Sequence, residues 1–287
     1  MDMQLKTQTR TQIQIQGNDV MQETEICPMC GKPVEYRTAT LFGKEERYKI
    51  ACSCMRDSYL SMQEEKKKQE KQKKKQEEIE RYNRWSKHEI GKRFQNSSFE
   101  NFQQDDKNKL VFNYIKMFSD TFGSFLERGT GYVIMGNPGN GKTHLAVSVM
   151  KALTEKGYSV AFVNASSLIG KFKEYESFSK QETLDDFVRF LTVPDLLILD
   201  DLGANRWSDL TKDYIYKVID ARYKEMKPIL VTTNIAEKDL VSQLSERITD
   251  RLKGACSFIQ IKSKSMRVAL QACDAKVIVE EIRAIRN

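Results

Sequence analysis

No stretch of this 287-residue chain reaches the ~18 consecutive apolar residues that a membrane-spanning helix requires, so its 40% hydrophobic content reads as globular core. The segment from Met1 to Gly17 is rich in Gln and Thr and lacks the apolar stretch of a secretory signal, which makes a soluble cytoplasmic protein the expectation. Cysteine is scarce and uneven: Cys27, Cys30, Cys52 and Cys54 cluster near one end, while Cys256 and Cys273 lie near the other. That distribution excludes a disulfide scaffold, and clustered cysteines in a reducing compartment more often hold metal. Internal repeats are also missing. Charge is plentiful: 47 Lys and Arg against 40 Asp and Glu give a net +7, a surplus that suits an anionic partner such as nucleic acid and equally serves solubility.

Four zones follow from the pattern. Residues 1–25 are polar and aperiodic, as disordered chain is, and residues 26–59 carry the four-cysteine cluster. Residues 60–93 form a charged zone whose run from Gln63 to Arg81 has no Gly or Pro, is built of strong helix formers and places Glu70 four residues before Lys74. It lacks a repeating apolar seam, which excludes a coiled coil. A solvated helical linker is expected, with contact of its lysines to DNA phosphates as the second reading; Tyr82 and Trp85 are read as anchoring it to the core rather than stacking bases.

In residues 94–287, strand and helix patterns alternate. Strands are predicted at Tyr132–Met135, Ser159–Val163, Asp195–Leu199, Pro228–Thr233 and Ser257–Ile261. Helices are predicted from Thr143 onward and over Ser166–Tyr175, Thr183–Leu191, Leu210–Lys224 and Ser245–Lys253. Repeated βαβ units imply an α/β fold, a parallel sheet with helices on both faces.

One of these strands runs straight into GNPGNGKT, Gly136 to Thr143, which matches the G-x-x-x-x-G-K-[ST] phosphate loop and opens a helix. Gly136, Gly139 and Gly141 let the loop, with Asn137, Pro138 and Asn140, turn its backbone N–H groups onto the phosphates of ATP. Lys142 neutralises the β- and γ-phosphates, Thr143 ligates Mg²⁺, and the helix N-terminus adds its dipole. His144 closes the ligand set, although its place on the helix suits packing better. A second motif, LLILDD at Leu196 to Asp201, delivers acids to the sheet edge where ligands bind. Asp200 would hold Mg²⁺, through water, and Asp201 would orient the attacking water. The Thr143 hydroxyl and the Asp200 carboxylate are expected to meet across adjacent strands.

With these residues in view, the chain resembles the AAA+ ATPases, and within them the bacterial and phage replicative helicase loaders of the DnaC/DnaI type. The likeness covers roughly Phe94 to Arg267. GKRFQNSSFENF, from Gly91 to Phe102, is similar to the family's lead-in segment, and LDDLGA, from Leu199 to Ala204, to its extended Walker B motif. VTTN, ending at Asn234, resembles sensor 1; SERITDRLKG resembles the arginine-finger box, with Arg251 as the finger and Arg247 beside it; SMR resembles sensor 2 and would place Arg267 on the nucleotide. The resemblance implies a slow, switch-like ATPase that self-associates through the finger, binds a DnaB-type hexameric helicase and delivers it to single-stranded DNA. It also implies a truncated lid, because about twenty residues follow Arg267. Many AAA+ proteins have Glu where this chain has Asp201, a carboxylate one methylene shorter, which argues against fast hydrolysis.

The pairs Cys27/Cys30 and Cys52/Cys54 offer four soft thiolates suited to tetrahedral Zn²⁺. The stretch between them is too short to fold alone, so metal would supply most of its stability. In the resembling family, an N-terminal zinc domain contacts the helicase. Transposition helper ATPases of the IstB type share nearly the same core and remain an alternative, as does a zinc-module adaptor in which nucleotide is only structural.

Overall fold

The computed structural model describes residues 25–41, 44–50, 52–176, 183–203 and 207–265. The chain divides into two compact units, Met1–Lys74 and Lys75–Asn287. Among the described residues no helix is long and apolar enough to cross a membrane.

The first unit is built on an antiparallel hairpin of β1 (Tyr36–Leu41) and β2 (Lys44–Lys49), in the register Tyr36↔Lys49. Ahead of it the chain turns tightly, with Gly31 N–H donating to Cys27 O at 2.9 Å and Gly31 taking a left-handed φ of 68°. Glu25 accepts from both the Tyr36 hydroxyl and the Lys49 ammonium. The helix α1 (Ser53–Glu89) starts between Cys52 and Cys54, well before the charged run that announces it in the sequence, and continues into the second unit.

The second unit opens with the last turns of α1, then α2 (Gly91–Phe94), α3 (Lys109–Asp120) and α4 (Phe122–Arg128). The alternating part follows: β3 (Gly131–Gly136), α5 (Lys142–Glu155), β4 (Val160–Asn164), α6 (Ala165–Glu176), α7 (Leu184–Thr192), β5 (Leu196–Leu202) and α8 (Asp209–Lys224). It ends with β6 (Ile229–Thr233), α9 (Leu240–Gln243), α10 (Glu246–Ala255) and β7 (Cys256–Ile261). All strand pairs are parallel, in the order β4-β5-β6-β3-β7. Alternate residues of the strands point to opposite faces. Val133, Val163, Leu197, Leu199 and Val231 thus join one core with α6, α7, α8 and α10, while Ile134, Phe162, Ile198 and Leu230 join another with α3 and α5.

This order corrects one expectation. The phosphate-loop strand β3 and the acid-bearing β5 are not adjacent; β6 lies between them. The chain leaves β3 for the far edge and works back inward, so the strand made after β5 fills the gap.

The β4 edge is covered by α1. Ser86, fully buried, donates its hydroxyl to Val160 O at 3.4 Å and accepts from Phe162 N–H at 3.0 Å; Glu89 accepts from Asn164 N–H at 3.2 Å. Tyr82 and Trp85 anchor the same turns, their rings tilted against Phe190 with centroids 4.7 Å and 4.9 Å away, and the Tyr82 hydroxyl donates to Phe190 O. Arg222 is wholly buried and donates to the carbonyls of Leu191, Thr192, Pro194, Asp195 and Pro228, stapling the end of α7 to the starts of β5 and β6. Burial lowers its pKa to about 9, so it remains charged at neutral pH.

Candidate functional site

The phosphate loop joins β3 to α5. Gly139 and Gly141 have φ of 84° and 95°, a region other L-residues enter at a cost. At Gly141 a Cβ would lie 2.7 Å from the Phe102 ring, so the lead-in segment packs directly on the loop. Asn140, fully buried, ties the loop to the end of β7 by donating to Ile261 O at 3.1 Å. The Lys142 ammonium donates to Gly136 O at 2.8 Å, to Asn137 O at 2.9 Å, and to Asn234 Oδ1 at 2.8 Å. The loop therefore closes around a cation at the mouth of a helix N-terminus, an arrangement suited to phosphate.

The acids approach from the other side. Asp200 accepts from Thr143 Oγ1 at 3.0 Å and from Thr232 Oγ1 at 2.6 Å. It is 4% exposed, and burial raises its carboxyl pKa above the ordinary range. Thr143 and Asp200 thus stand together as a hydroxyl and a carboxylate, a donor set that fits Mg²⁺. Beyond Asp200 the β5 strand bulges. Leu199 pairs with Val231 and Leu202 with Thr233, so β5 carries one residue more than β6 between those pairs. The bulge puts Asp201 at a φ of 58°, with its N–H donating to Thr232 Oγ1 at 2.9 Å. Bulges of this kind re-aim a side chain.

Asn234 follows the intervening strand β6, and this is what lets it bridge the two sides. Its Oδ1 accepts from Lys142, and its Nδ2 donates to Asp201 Oδ1 at 2.7 Å. A cleft of about 320 Å³ lies over the loop, Asp201 and Asn234, within the size range of small-ligand sites. Arg93 and Phe94 line its other wall; sequence motifs gave them no role, and the only signal was their place in the lead-in segment. His144 also borders the cleft, but its Nε2 donates to Ser98 O at 2.8 Å and its ring meets Phe102 edge-on.

Arg251 does not line this cleft. It sits on α10 against α8, its Nε donating to Asp220 Oδ1 at 2.8 Å and its Nη1 to Asp250 Oδ2 at 2.9 Å. Arg247 stands one turn earlier on the same helix. Arg267 and the expected lid lie outside the described residues, as do Cys273 and residues 1–24.

In the first unit, the sulfurs of Cys27, Cys30, Cys52 and Cys54 all lie within 4.8 Å of one another. Four Zn–S bonds of ~2.3 Å in a tetrahedron place sulfurs about 3.8 Å apart, so the cluster could bind zinc. The backbone N–H groups of Cys30 and Met29 point at the Cys27 sulfur and lower its pKa to about 6, which favours the thiolate that metal requires.

Residues 45–272 match the profile of the family described as IstB-like ATP binding protein. The chain is 27% identical over 161 residues to the replicative helicase loader DnaC of Buchnera aphidicola subsp. Acyrthosiphon pisum, covering 56% of this chain and 64% of that one. It is 30% identical over 150 residues to an ATP-binding protein of insertion sequence IS5376 from Geobacillus stearothermophilus, covering 50% and 58%. The crystal structure of the DnaC helicase loader superposes with a TM-score of 0.55 at 30% identity, over 60% of this chain and all of that one. The chain thus spans less than two thirds of the length of the curated relatives it matches.

Proposed function

Because the chain belongs to the family of IstB-like ATP-binding proteins, we propose that it is an ATP-dependent loader that delivers a DnaB-type replicative ring helicase to single-stranded DNA. The observation that carries the ATP-dependent part is Asn234, whose amide touches the loop lysine at one end and Asp201 at the other. A terminal phosphate entering between Lys142 and Asp201 must displace or recruit that amide, so the side chain reads whether the nucleotide is a triphosphate. In this reading the loop from Gly136 to Thr143 holds the phosphates, Thr143 and Asp200 hold Mg²⁺, and Asp201 with Asn234 orients water for slow hydrolysis. Arg251 acts on the site of a neighbouring copy and Arg267 on the nucleotide of its own. Cys27, Cys30, Cys52 and Cys54 hold Zn²⁺ in the zone, 26–59, that contacts the helicase, and residues 60–93 are the charged helical linker between that zone and the ATPase domain. The similarity to DnaC supports the choice of partner.

Calorimetry with ATP and Mg²⁺ tests the site, and copurification tests the partner. Lys142→Ala is expected to weaken ATP binding by about a hundredfold, since hydrogen bonds to a charged group contribute ~1.5–3 kcal/mol each. Wild-type protein with no affinity for ATP would end this reading. The similarity to the insertion-sequence protein favours one other reading, an ATPase that assists a transposase. Recovery of a transposase in place of a hexameric helicase would establish it.

A further inference from the structure

Helix α8 presents two acid–tyrosine pairs, Asp213/Tyr216 and Asp220/Tyr223, seven residues apart and so on one face; α10 lays Arg247 and Arg251, four apart, across them. The two rungs differ. Arg247 lies 3.9 Å over the Tyr216 ring with its Nη1 4.0 Å from Asp213, and its side chain is 66% exposed. Arg251 lies 5.0 Å over Tyr223, is 31% exposed, and is hydrogen-bonded at Nε by Asp220 and at Nη1 by Asp250. Among the described residues its Nη2 donates no hydrogen bond.

Asp220 is itself held in place. Its Oδ2 accepts from Lys224 Nζ at 2.7 Å, the Tyr216 hydroxyl donates to Oδ1 at 3.3 Å, and its side chain is only 12% exposed. The cations of Arg251 and Lys224 keep its carboxyl down at about 2, so it is ionised at any working pH. An exposed ion pair would hold an arginine weakly, but a nearly buried carboxylate fixed from two other directions can hold one in a single orientation.

We propose that Asp220 is the positioning residue for Arg251: it grips the guanidinium at Nε and leaves Nη2 to meet the terminal phosphate bound by a second copy of the chain. This rests on the reading of Arg251 as a residue that acts between copies. An arginine already ordered before contact loses less rotamer freedom on meeting its target, and its donor arrives where charge develops.

Complementation between variants isolates the effect. Arg251→Ala subunits keep an intact nucleotide site and serve as acceptors; Lys142→Ala subunits lack that site but keep Arg251 and serve as donors. ATP hydrolysis by the mixture then reads only Arg251 supplied by the donor. Donors carrying Lys142→Ala with Asp220→Asn are expected to lower the plateau rate by roughly ten- to a hundredfold, at an unchanged half-saturating donor concentration. Donors with Lys142→Ala and Asp220→Glu, which keep the carboxylate but move it by one methylene, are expected to fall less than the Asn variant, and they serve if that variant does not fold. An unchanged plateau overturns the proposal. So does a shift confined to the half-saturating concentration, which would make Asp220 part of the contact surface alone. Absence of any rescue by Lys142→Ala donors overturns the underlying reading together with the proposal, and is thereby told apart from a failure of Asp220 alone.

Discussion

Asp200 and Asp201 are consecutive carboxylates in opposite circumstances. Asp200 is buried, and desolvation raises its pKa despite the hydroxyls of Thr232 and Thr143 that donate to it. A carboxyl whose folded pKa exceeds its unfolded value loses stability as the pH rises past the unfolded value, so the buried seat of Asp200 carries a cost at neutral pH. A bound divalent cation would remove that cost. Asp200→Asn keeps the shape and deletes the charge. Its melting temperature without nucleotide is expected to rise above wild type at pH 7, while the stabilisation that ATP with Mg²⁺ gives the wild type is expected to vanish. A nucleotide-free variant that melts below wild type would show that the charge is already compensated. Asp201 owes its identity to the backbone. At a φ of 58° the short polar side chains of Asp and Asn are the best tolerated after Gly, which is a local reason for Asp at this position.

At the scale of elements, the edge strand β4 shows why the linker helix is more than a spacer. An uncovered edge leaves N–H and C=O groups ready to pair with another chain. Here Ser86 bonds Val160 O and Phe162 N–H from within α1. Ser86→Ala would leave both groups buried without a partner, and urea unfolding is expected to show a loss of about 1–3 kcal/mol. A loss below ~0.5 kcal/mol would mean that water reaches the edge instead. The sequence announced α5, α7 and α8 and the five strands of the main sheet because apolar spacing and motifs mark them locally. It did not announce α3, although Val111, Phe112, Ile115 and Phe118 stand at helical spacing on its buried face, because the helix carries no motif and lies ahead of the alternating strands. The hairpin β1/β2 was missed because Lys44–Lys49 reads KEERYK, a charged run with little strand character. Nor was strand order legible: the seat of β6 between β3 and β5 is set by crossovers, and that seat is what allows Asn234 to touch both Lys142 and Asp201. The bulge that re-aims Asp201 depends on pairing with β6 and leaves no mark in LLILDD. Arg93 and Phe94 belong to no motif of their own and become visible only as a wall of the cleft.

At the scale of the whole molecule, the two units draw stability from different sources. The second has an apolar core on each face of its sheet. In the first, among the described side chains, Cys27 alone is a buried apolar residue. A segment this small buries little surface to order itself, and in the proposed reading, with zinc on its four thiols, the free energy of metal binding becomes free energy of folding. Treating the intact chain with a strong zinc chelator is therefore expected to abolish slow amide exchange between residues 25 and 52 while leaving ATP affinity unchanged within about twofold. The readout is residue-resolved hydrogen exchange beside calorimetry on the same sample. Persistent protection of the hairpin in the presence of chelator would show that Glu25, Tyr36, Lys49 and the β1/β2 ladder suffice to hold the first unit, and the four thiols would then lose their claim to a structural role.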